Sequence, residues 1–261
     1  MRPRDLEAKA IPGTVYLVGA GPGDPGLLTL KARDLLASCD TILFDQLVNP
    51  TILEHAPASA ERLRVGKVGH GTQVAQEAIH RLMIDRAHRG RSVVRLKGGC
   101  PMLFGRVAEE AEALRAASVP YEIVPGVSSA LAAPAYAGIP LTHRAYASSV
   151  SILTGHCVRA GARPAAALAA ADTLVVLMGA TALASLAAEL VAAGRRPETP
   201  AAFISQATWD SQQVVVATLS TLADAVERSR LGAPAVVVVG EVVALRERLD
   251  WFAATSMATF Q

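Results

Sequence analysis

The residues that most clearly suggest chemistry lie in a glycine-rich turn near the start of the chain. Residues 14–29 read TVYLVGAGPGDPGLLT, so an apolar strand pattern runs directly into the turn and a helical pattern follows. The glycines at 21, 23 and 26 satisfy the G-x-G-x-x-G spacing of dinucleotide-binding turns. Asp45 ends the next strand pattern, about where a ribose-binding acid stands in such folds. Glycine at these positions lets the backbone approach a ligand closely.

Two prolines inside this turn argue against a nucleotide pyrophosphate as its ligand. Pro22 and Pro25 occupy variable positions of the pattern, and proline has no N–H to donate. A pyrophosphate site depends on an array of such donors. The turn therefore favours a ligand that is not a polyphosphate, such as the sulfonium S-adenosylmethionine.

Two further turns follow later strand patterns of the same half. One reads Lys97-Gly98-Gly99-Cys100-Pro101 and the other Pro125-Gly126-Val127-Ser128-Ser129. Ligands of open parallel sheets bind outside the carboxyl ends of the strands, so we expect the glycine turns to face one crevice. Ser128 has an alternative role as the cap of the helix that follows.

Length and composition limit the kind of protein. The chain has 261 residues, 51% of them hydrophobic and 18% charged, which predicts a large core and two modest domains and argues against disorder. A net charge of +2 without a Lys/Arg-rich run argues against nucleic-acid binding. Three cysteines without a C-x-x-C pair indicate a reducing cytoplasm and no metal site. Apolar runs are too short to span a membrane, so we expect a soluble protein.

Alternating strand and helix patterns predict two α/β domains. The first half indicates a mostly parallel sheet with helices on both faces. In the second half, runs 200–206 and 212–217 are joined by a link of hairpin length, so that sheet is predicted to be mixed. We expect a flexible tail at 1–13, an N-terminal domain at 14–142, a C-terminal domain at 147–252 and a tail at 253–261.

The individual elements follow from apolar periodicity and from glycine and proline breaks. The first domain is predicted to contain strands at 14–19, 41–45, 62–65, 92–96 and 121–124, and helices at 27–38, 73–88, 104–117 and 128–137. The second is predicted to contain strands at 148–154, 173–178, 200–206, 212–217 and 235–239, and helices at 181–193 and 219–229.

Several motifs in fixed order resemble the tetrapyrrole methylase family. With the first turn, they are LFD at 43–45, VGK at 65–67, VVRLKGG at 93–99, FGR at 104–106, VPGVSSALAAPAYAGIPLTHR at 124–144 and PAVVVVGEVVAL at 234–245. The resemblance runs from about residue 14 to residue 252. It implies a homodimer whose two α/β domains hold S-adenosylmethionine in the cleft between them. The implied activity is transfer of two methyl groups to uroporphyrinogen III, giving precorrin-2 on the branch toward sirohaem, cobalamin and haem d1.

The resemblance also implies roles for charged residues. By similarity, Asp45 is the proton acceptor and Lys67 the proton donor, whereas a loop cap and a solvated charge are the alternatives. Arg106 and Arg144 match substrate-contacting or catalytic arginines, with Glu109 beside Arg106 in the substrate site. Arginine suits a macrocycle ringed with carboxylates because its planar fork meets each one with paired hydrogen bonds. The alternative for Arg106 and Glu109 is an ion pair on a helix surface.

The cofactor site implied by the resemblance consists of small side chains and backbone. These residues are Pro22, Gly98, Gly99, Cys100, Leu103, Ser128, Ser129, Met178 and Ala207. Without the resemblance, Met178 is typical of a strand end in the core.

The chain departs from the family pattern at several positions. Cys100 stands where the family usually has an aspartate, which removes a carboxylate beside the cofactor. Val107 and Ala108 replace the usual Gly-Gly after FGR, and Gln46 replaces an arginine. These changes put the substrate identity and full activity in question while leaving the fold expectation intact.

Three competing interpretations remain open. One is another C-methyltransferase that acts on a later precorrin, and a second is a non-catalytic protein that binds S-adenosylmethionine or a tetrapyrrole. A nicotinamide dehydrogenase is the third, and the prolines of the first turn disfavour it.

Overall fold

Two α/β units make up the chain, of which the computed structural model describes residues 8–65, 76–155 and 170–252. Contacts between Cα atoms divide it into a unit that ends at Ser128 and a unit that begins at Ser129. The sequence placed the change of domain at 138–147. The helix at 129–136 groups with the second unit because it packs against two strands of that unit.

The first unit is built on five strands, namely β1 (Val15–Gly19), β2 (Thr41–Phe44), β3 (Glu61–Arg64), β4 (Val93–Lys97) and β5 (Tyr121–Val124). They lie in the order β3-β2-β4-β1-β5, and every neighbouring pair is parallel. The prediction of a mostly parallel N-terminal sheet is therefore confirmed. All carboxyl ends of these strands meet at one edge of the sheet.

Helices cover both faces of this sheet, as predicted. They are α1 (Leu30–Ser38), α2 (Gln76–His88) and α3 (Val107–Ala116), with 3-10 turns at Pro25–Leu27 and Pro50–His55. Successive strand residues point to opposite faces. In β1, Tyr16 and Val18 pack in the core with residues of α1, whereas Val15 and Leu17 pack with residues of α2 and α3.

The start of the first unit differs from the predicted boundaries. Thr29 caps α1 by accepting a hydrogen bond from the Ala32 N–H, so the helix begins at Leu30 rather than at 27. Residues 8–13, expected as part of a tail, pack on the unit. Ala10 is buried and donates its N–H to Ser38 Oγ at 2.9 Å, and the Ile11 N–H donates to the Tyr16 hydroxyl at 3.0 Å.

The second unit contains a mixed five-stranded sheet. Its strands are β6 (Val150–Thr154), β7 (Thr173–Leu177), β8 (Pro200–Ser205), β9 (Gln213–Thr218) and β10 (Ala235–Val239). Their order is β6-β7-β10-β8-β9; β6 and β7 are parallel and the other pairs are antiparallel. The predicted hairpin is confirmed, since β8 pairs with β9 from Pro200 opposite Thr218 to Ser205 opposite Gln213.

Helices also pack on the second sheet. They are α4 (Ser129–Tyr136), α5 (Leu183–Ala192), α6 (Leu222–Ser229) and the short α7 (Arg246–Leu249), with 3-10 turns at Ala180–Ala182 and Glu241–Leu245. Phe203 of β8 is fully buried with residues of α5 and α6, and α4 packs against β7 and β10. None of the helices in the described parts of the chain is long and apolar enough to cross a bilayer.

Three glycines hold the strand ends of the first sheet in very close contact. A Cβ added at Gly19 would lie 2.5 Å from Gly126 N, and one added at Gly126 would lie 2.4 Å from the Gly99 carbonyl oxygen. These contacts are with backbone, which cannot rotate away as a side chain does. Any side chain here would push β1, β4 and β5 apart at their carboxyl ends.

We therefore expect Gly126→Ala to lower the free energy of unfolding by about 3 kcal/mol or more, since overpacking a tight site must displace backbone. Gly90→Ala is the matched control in the same unit. Gly90 has a φ of +75°, but a Cβ added there would meet no atom of the described residues within 4 Å, so the alanine variant should lose only roughly 1–2 kcal/mol, the cost of a left-handed backbone. Urea unfolding of both variants measures the difference. Equal losses would contradict the close approach.

A carboxylate in the second unit ties the start of β7 to the start of β6. Asp172 Oδ2 accepts hydrogen bonds from the N–H and hydroxyl groups of both Ser148 and Ser149, at 2.8–3.1 Å. These bonds, the Ser148 N–H first, lower the pKa of Asp172 below its ordinary value of 3.8. The carboxylate therefore stabilises the fold above about pH 3.8, and this stabilisation is lost as the pH falls through the lowered pKa.

Asp172→Asn should reduce the stability of the protein at neutral pH, because an amide oxygen replaces an anion that accepts four hydrogen bonds. The difference from the wild type should shrink as the pH is lowered toward 3. Urea unfolding at several pH values measures this, with the exposed Asp210→Asn as the control. A difference that is constant with pH would argue against an ionised acceptor.

Candidate active site

The first two glycine turns lie side by side and bind each other through their backbones. β1 and β4 are neighbours, and the turns that follow them form a bridge in which the Gly99 N–H donates to the Gly21 carbonyl at 2.7 Å. The Gly21 N–H donates back to the Gly99 carbonyl at 3.2 Å. Both turns therefore lie at the same edge of the sheet, and the expectation that they face one crevice stays a prediction.

The bridge also decides what kind of ligand the edge can hold. The Ala20 N–H is bound to the Lys97 carbonyl and the Gly26 N–H to the Asp24 carboxylate, in addition to the two amides of the bridge. Four amides of the first two turns are thus committed to the protein itself, and the two prolines have no N–H to donate. These bonds and prolines reduce the number of backbone donors open to a pyrophosphate, which disfavours the dehydrogenase interpretation.

The predicted cofactor residues of the first unit lie in or just after the three glycine turns. Pro22, Gly99, Cys100, Leu103 and Ser128 are half-buried, and Gly98 is exposed. The Leu103 N–H donates to the Cys100 carbonyl at 3.2 Å, which closes a turn just after the bridge. A small surface of backbone and short side chains results, and it lies at the carboxyl ends of β1, β4 and β5.

Asp45 lies at the carboxyl end of β2, next to β4, and its carboxylate is held by a buried arginine. Arg95 Nη2 donates to Asp45 Oδ1 at 2.5 Å. The Arg95 side chain is 3% exposed, whereas that of Asp45 is 31% exposed. The carboxylate is thus fixed from the protein side and open to solvent on another, as a proton acceptor requires. Asp45 therefore forms an ion pair with Arg95, a contact that the loop-cap interpretation of Asp45 does not predict.

A second carboxylate lies behind this pair. Glu110 of α3 is fully buried, and its Oε1 accepts from Arg95 Nε at 3.0 Å and from Lys97 Nζ at 3.0 Å. Gln76 of α2 adds a third donor at 3.2 Å. Burial and the neighbouring Arg95 cation lower the pKa of Lys97, and the Glu110 charge opposes this shift.

Sequence reasoning missed Arg95, Lys97 and Glu110 as a group, although one signal was available. The strand VVRLK is buried on both faces, and strands of that kind read as continuous apolar runs. Arginine and lysine are almost never fully buried unless they are paired. Two cations at alternate positions therefore point to partners on one face of the sheet, but the spacing does not identify those partners.

Arg106 and Glu109 form the helix-surface ion pair that was the alternative interpretation. Arg106 Nε and Nη2 donate to the two Glu109 oxygens at 2.8 and 2.6 Å, and both side chains are about half exposed. The Arg106 guanidinium lowers the pKa of Glu109 below its usual range. A bidentate arginine on the surface can exchange Glu109 for a ligand carboxylate. The role of Arg106 in substrate binding stays a prediction.

The turn before α3 explains why this helix begins at Val107 rather than at 104. Phe104 and Arg106 have φ values of 53° and 57°, in the left-handed region. A Cβ on Gly105 between them would lie 2.4 Å from the Pro101 carbonyl oxygen. Three consecutive residues are thus bent tightly around the glycine turn, which places Arg106 at the N-terminus of α3.

The remaining predicted residues are divided between the second unit and the undescribed part of the chain. Lys67, the predicted proton donor, lies outside the described residues. Ser129 is half-buried at the start of α4, and Arg144 is exposed in the turn before β6. These positions keep their predicted roles as predictions.

Met178 and Ala207 lie at one edge of the second sheet. β7 and β8 are both antiparallel to β10, so their carboxyl ends point the same way. Met178 follows β7 with a φ of 56° and is 44% exposed, so it is not the core residue that the apolar strand indicates. Ala207 follows β8 between Gln206 and Thr208, which both have positive φ. Such strain is concentrated at binding sites.

Comparisons with known proteins agree with this arrangement. Residues 14–223 match the family described as Tetrapyrrole (Corrin/Porphyrin) Methylases. The chain is similar to a siroheme synthase from Pseudomonas entomophila, with 47% identity over 243 residues, which cover 92% of this chain and 52% of that protein. It therefore spans about half the length of this curated relative.

Solved structures extend the similarity to the whole fold. A uroporphyrin-III C-methyl transferase from Thermus thermophilus, complexed with S-adenyl homocysteine, is 42% identical with a TM-score of 0.78, covering 89% of this chain and 99% of that chain. A cobalt precorrin-4 methyltransferase is 28% identical with a TM-score of 0.80, covering 88% and 96%. With both sheets and the glycine turns in place, the chain belongs to the tetrapyrrole (corrin/porphyrin) methylase family.

Proposed function

We propose that the chain is an S-adenosylmethionine-dependent C-methyltransferase that adds two methyl groups to uroporphyrinogen III, giving precorrin-2. The observation that carries this proposal is the Asp45 carboxylate, held by buried Arg95 and partly open to solvent at the edge with the donor-poor glycine bridge. The similarity to a uroporphyrin-III C-methyl transferase supports the choice of acceptor. The product serves the branch toward sirohaem, cobalamin and haem d1.

The residues of the glycine turns fit S-adenosylmethionine better than they fit a dinucleotide. A sulfonium donor carries no phosphate, so it does not need the amides that are committed to the bridge. Exposed Gly98 leaves backbone open to a ligand, because among the described residues a Cβ there would approach only the Leu47 side chain, at 3.6 Å. Pro22, Gly99, Cys100, Leu103 and Ser128, with Ser129, Met178 and Ala207 of the second unit, would complete the contacts.

The chemistry requires positioning and a base rather than a nucleophilic side chain. S-adenosylmethionine supplies a methyl group on a positively charged sulfur. Attack of a pyrrole carbon on this methyl group would break the methyl–sulfur bond, release S-adenosylhomocysteine and leave the pyrrole ring cationic. Asp45 would accept the proton that this ring must then lose. Arg95 would hold the carboxylate in place through its hydrogen bond to Oδ1. Lys67 would act as the proton donor.

Arginines would hold the carboxylates of the macrocycle. Arg106 and Arg144 are both exposed, so each can meet a carboxylate with paired hydrogen bonds. Glu109 holds the Arg106 fork in place until a ligand carboxylate competes for it. A homodimeric state and a cytoplasmic location complete the proposal, and both come from the family resemblance and from cysteine usage.

A second candidate function is methylation of a later precorrin. The similarity to a cobalt precorrin-4 methyltransferase supports it. A non-catalytic binding protein is disfavoured, because Asp45 keeps a partly exposed carboxylate on a buried arginine.

Product mass distinguishes these candidates. Incubated with S-adenosylmethionine and enzymatically generated uroporphyrinogen III, the wild type should add two methyl groups. Asp45→Asn should lower kcat by about 10²–10⁴-fold, the usual contribution of a positioned base, while affinity for S-adenosylhomocysteine changes little. Glu112→Gln, on the exposed side of α3, is the control and should keep full activity.

Two results would contradict the proposal in different ways. Methylation of a precorrin but not of uroporphyrinogen III would favour the second candidate. Full activity of Asp45→Asn would show that Asp45 is not the base, but it would not contradict the proposed substrate.

A carboxylate restored at position 100 should strengthen binding of the methyl donor. At an effective dielectric of about 20, a carboxylate about 4 Å from a sulfonium contributes on the order of 4 kcal/mol before desolvation. Cys100→Asp should therefore lower the Kd for S-adenosylmethionine roughly tenfold, or about 1.4 kcal/mol. S-adenosylhomocysteine lacks the positive sulfur and should gain less.

Titration calorimetry with both ligands measures this effect, and Cys100→Ser is the neutral control. If both ligands gain equally, or neither does, position 100 does not face the sulfur.

A further inference from the structure

We propose that Glu110 is a positioning residue for the methyl transfer, which acts on Asp45 through Arg95 without touching the substrate. The inference rests on the proposed function, in which Asp45 accepts a proton. It assigns a role to a buried glutamate of α3 whose side chain is fully shielded from solvent.

Arg95 is shared between the two carboxylates. Its Nε donates to Glu110 Oε1 and its Nη2 to Asp45 Oδ1. Nη1 is directed to the carbonyl oxygens of Leu43 and Leu96, at 3.5 and 3.3 Å. Because the guanidinium is planar and rigid, fixing its Nε side on Glu110 also fixes the Nη2 side that meets Asp45.

The formal charges in this group balance, because two cations face two carboxylates. Arg95 and Lys97 are two buried cations, and Glu110 and Asp45 are the carboxylates that contact them. Without the Glu110 charge, both cations would share the single carboxylate of Asp45. That carboxylate would be drawn toward the protein and away from the substrate.

Stability alone does not explain why a glutamate stands at this position. Glu110 Oε1 accepts from three donors, whereas Oε2 is buried and has no hydrogen-bond partner among the residues that the structure describes. Buried polar atoms are normally satisfied, and the exceptions concentrate at functional sites. Three donors converge on Oε1, so this one oxygen orients Arg95 and Lys97 at the same time.

The test compares Glu110→Gln with Glu110→Asp in the full chain. Glu110→Gln keeps an acceptor but loses the charge, and should lower kcat at least tenfold. The KM for uroporphyrinogen III and the Kd for S-adenosylhomocysteine should stay within about twofold, because Glu110 touches neither ligand. Glu110→Asp keeps the charge and should recover part of kcat. Glu112→Gln, two residues along the same helix and exposed, should match the wild type.

A double-mutant cycle shows whether Glu110 acts through Asp45. If it does, Glu110→Gln combined with Asp45→Asn should lose no more activity than Asp45→Asn alone, since residues that act as a unit are not additive. Losses that multiply would overturn the inference, and so would an unchanged kcat for Glu110→Gln. If Glu110→Gln does not fold, the same cycle is run with Glu110→Asp.

Crystal structures of the Glu110 variants and the Glu112→Gln control give a readout that needs no activity. The Arg95–Asp45 contact should be lost or rearranged in Glu110→Gln and kept in the control. If the wild type methylates no tetrapyrrole, the proposed function fails, and these structures still decide whether Glu110 positions Arg95 against Asp45. A contact that is unchanged in Glu110→Gln and in Glu110→Asp overturns it.

Discussion

The first unit depends on how two cations are accommodated inside a parallel sheet. Arg95 and Lys97 lie on β4, a strand with neighbours on both sides and helices on both faces. Moving such charges out of water is costly, and breaking a buried pair by removing one partner typically costs about 3–5 kcal/mol. Glu110 from α3 and Asp45 from the end of β2 provide the compensating charge. The position of α3 and the geometry of the candidate site are therefore set by the same interaction.

The glycine turns at the same edge allow the strand ends to approach one another closely. Three strand ends approach so closely that any Cβ would collide with backbone, and the amides nearest to this contact bind neighbouring carbonyls. A sequence pattern shared with dinucleotide sites thus produces a surface with different chemistry. The glycine spacing alone does not distinguish the two, whereas the prolines and the pairing of the amides do.

Much of the fold follows from the sequence because it depends on local pattern. Alternating strands and helices predicted a parallel sheet, and the short link after β8 predicted the hairpin, and both are confirmed. Element ends were less predictable. The left-handed residues before α3 and the Thr29 cap each shift a helix start by three positions, because they depend on contacts of single residues.

The candidate site was only partly predictable for the same reason. Asp45 and the glycine turns are marked by their place after strands, which the chain order shows. The Arg95–Glu110 contact joins a strand to a helix fifteen residues later, and its partners depend on rotamers and packing angles. Met178 illustrates the reverse error, since an apolar strand indicated burial but its left-handed backbone leaves the side chain exposed.

The reciprocal amide bonds between Gly21 and Gly99 have a consequence for how this edge can change. An insertion or deletion in either turn would break both bonds at once, so the lengths of the two loops are tied together. Changes in ligand preference at this edge are then limited to substitutions that leave the lengths of both loops unchanged. Positions such as 100 and 103, whose side chains are not part of the pair, are where new preferences can arise.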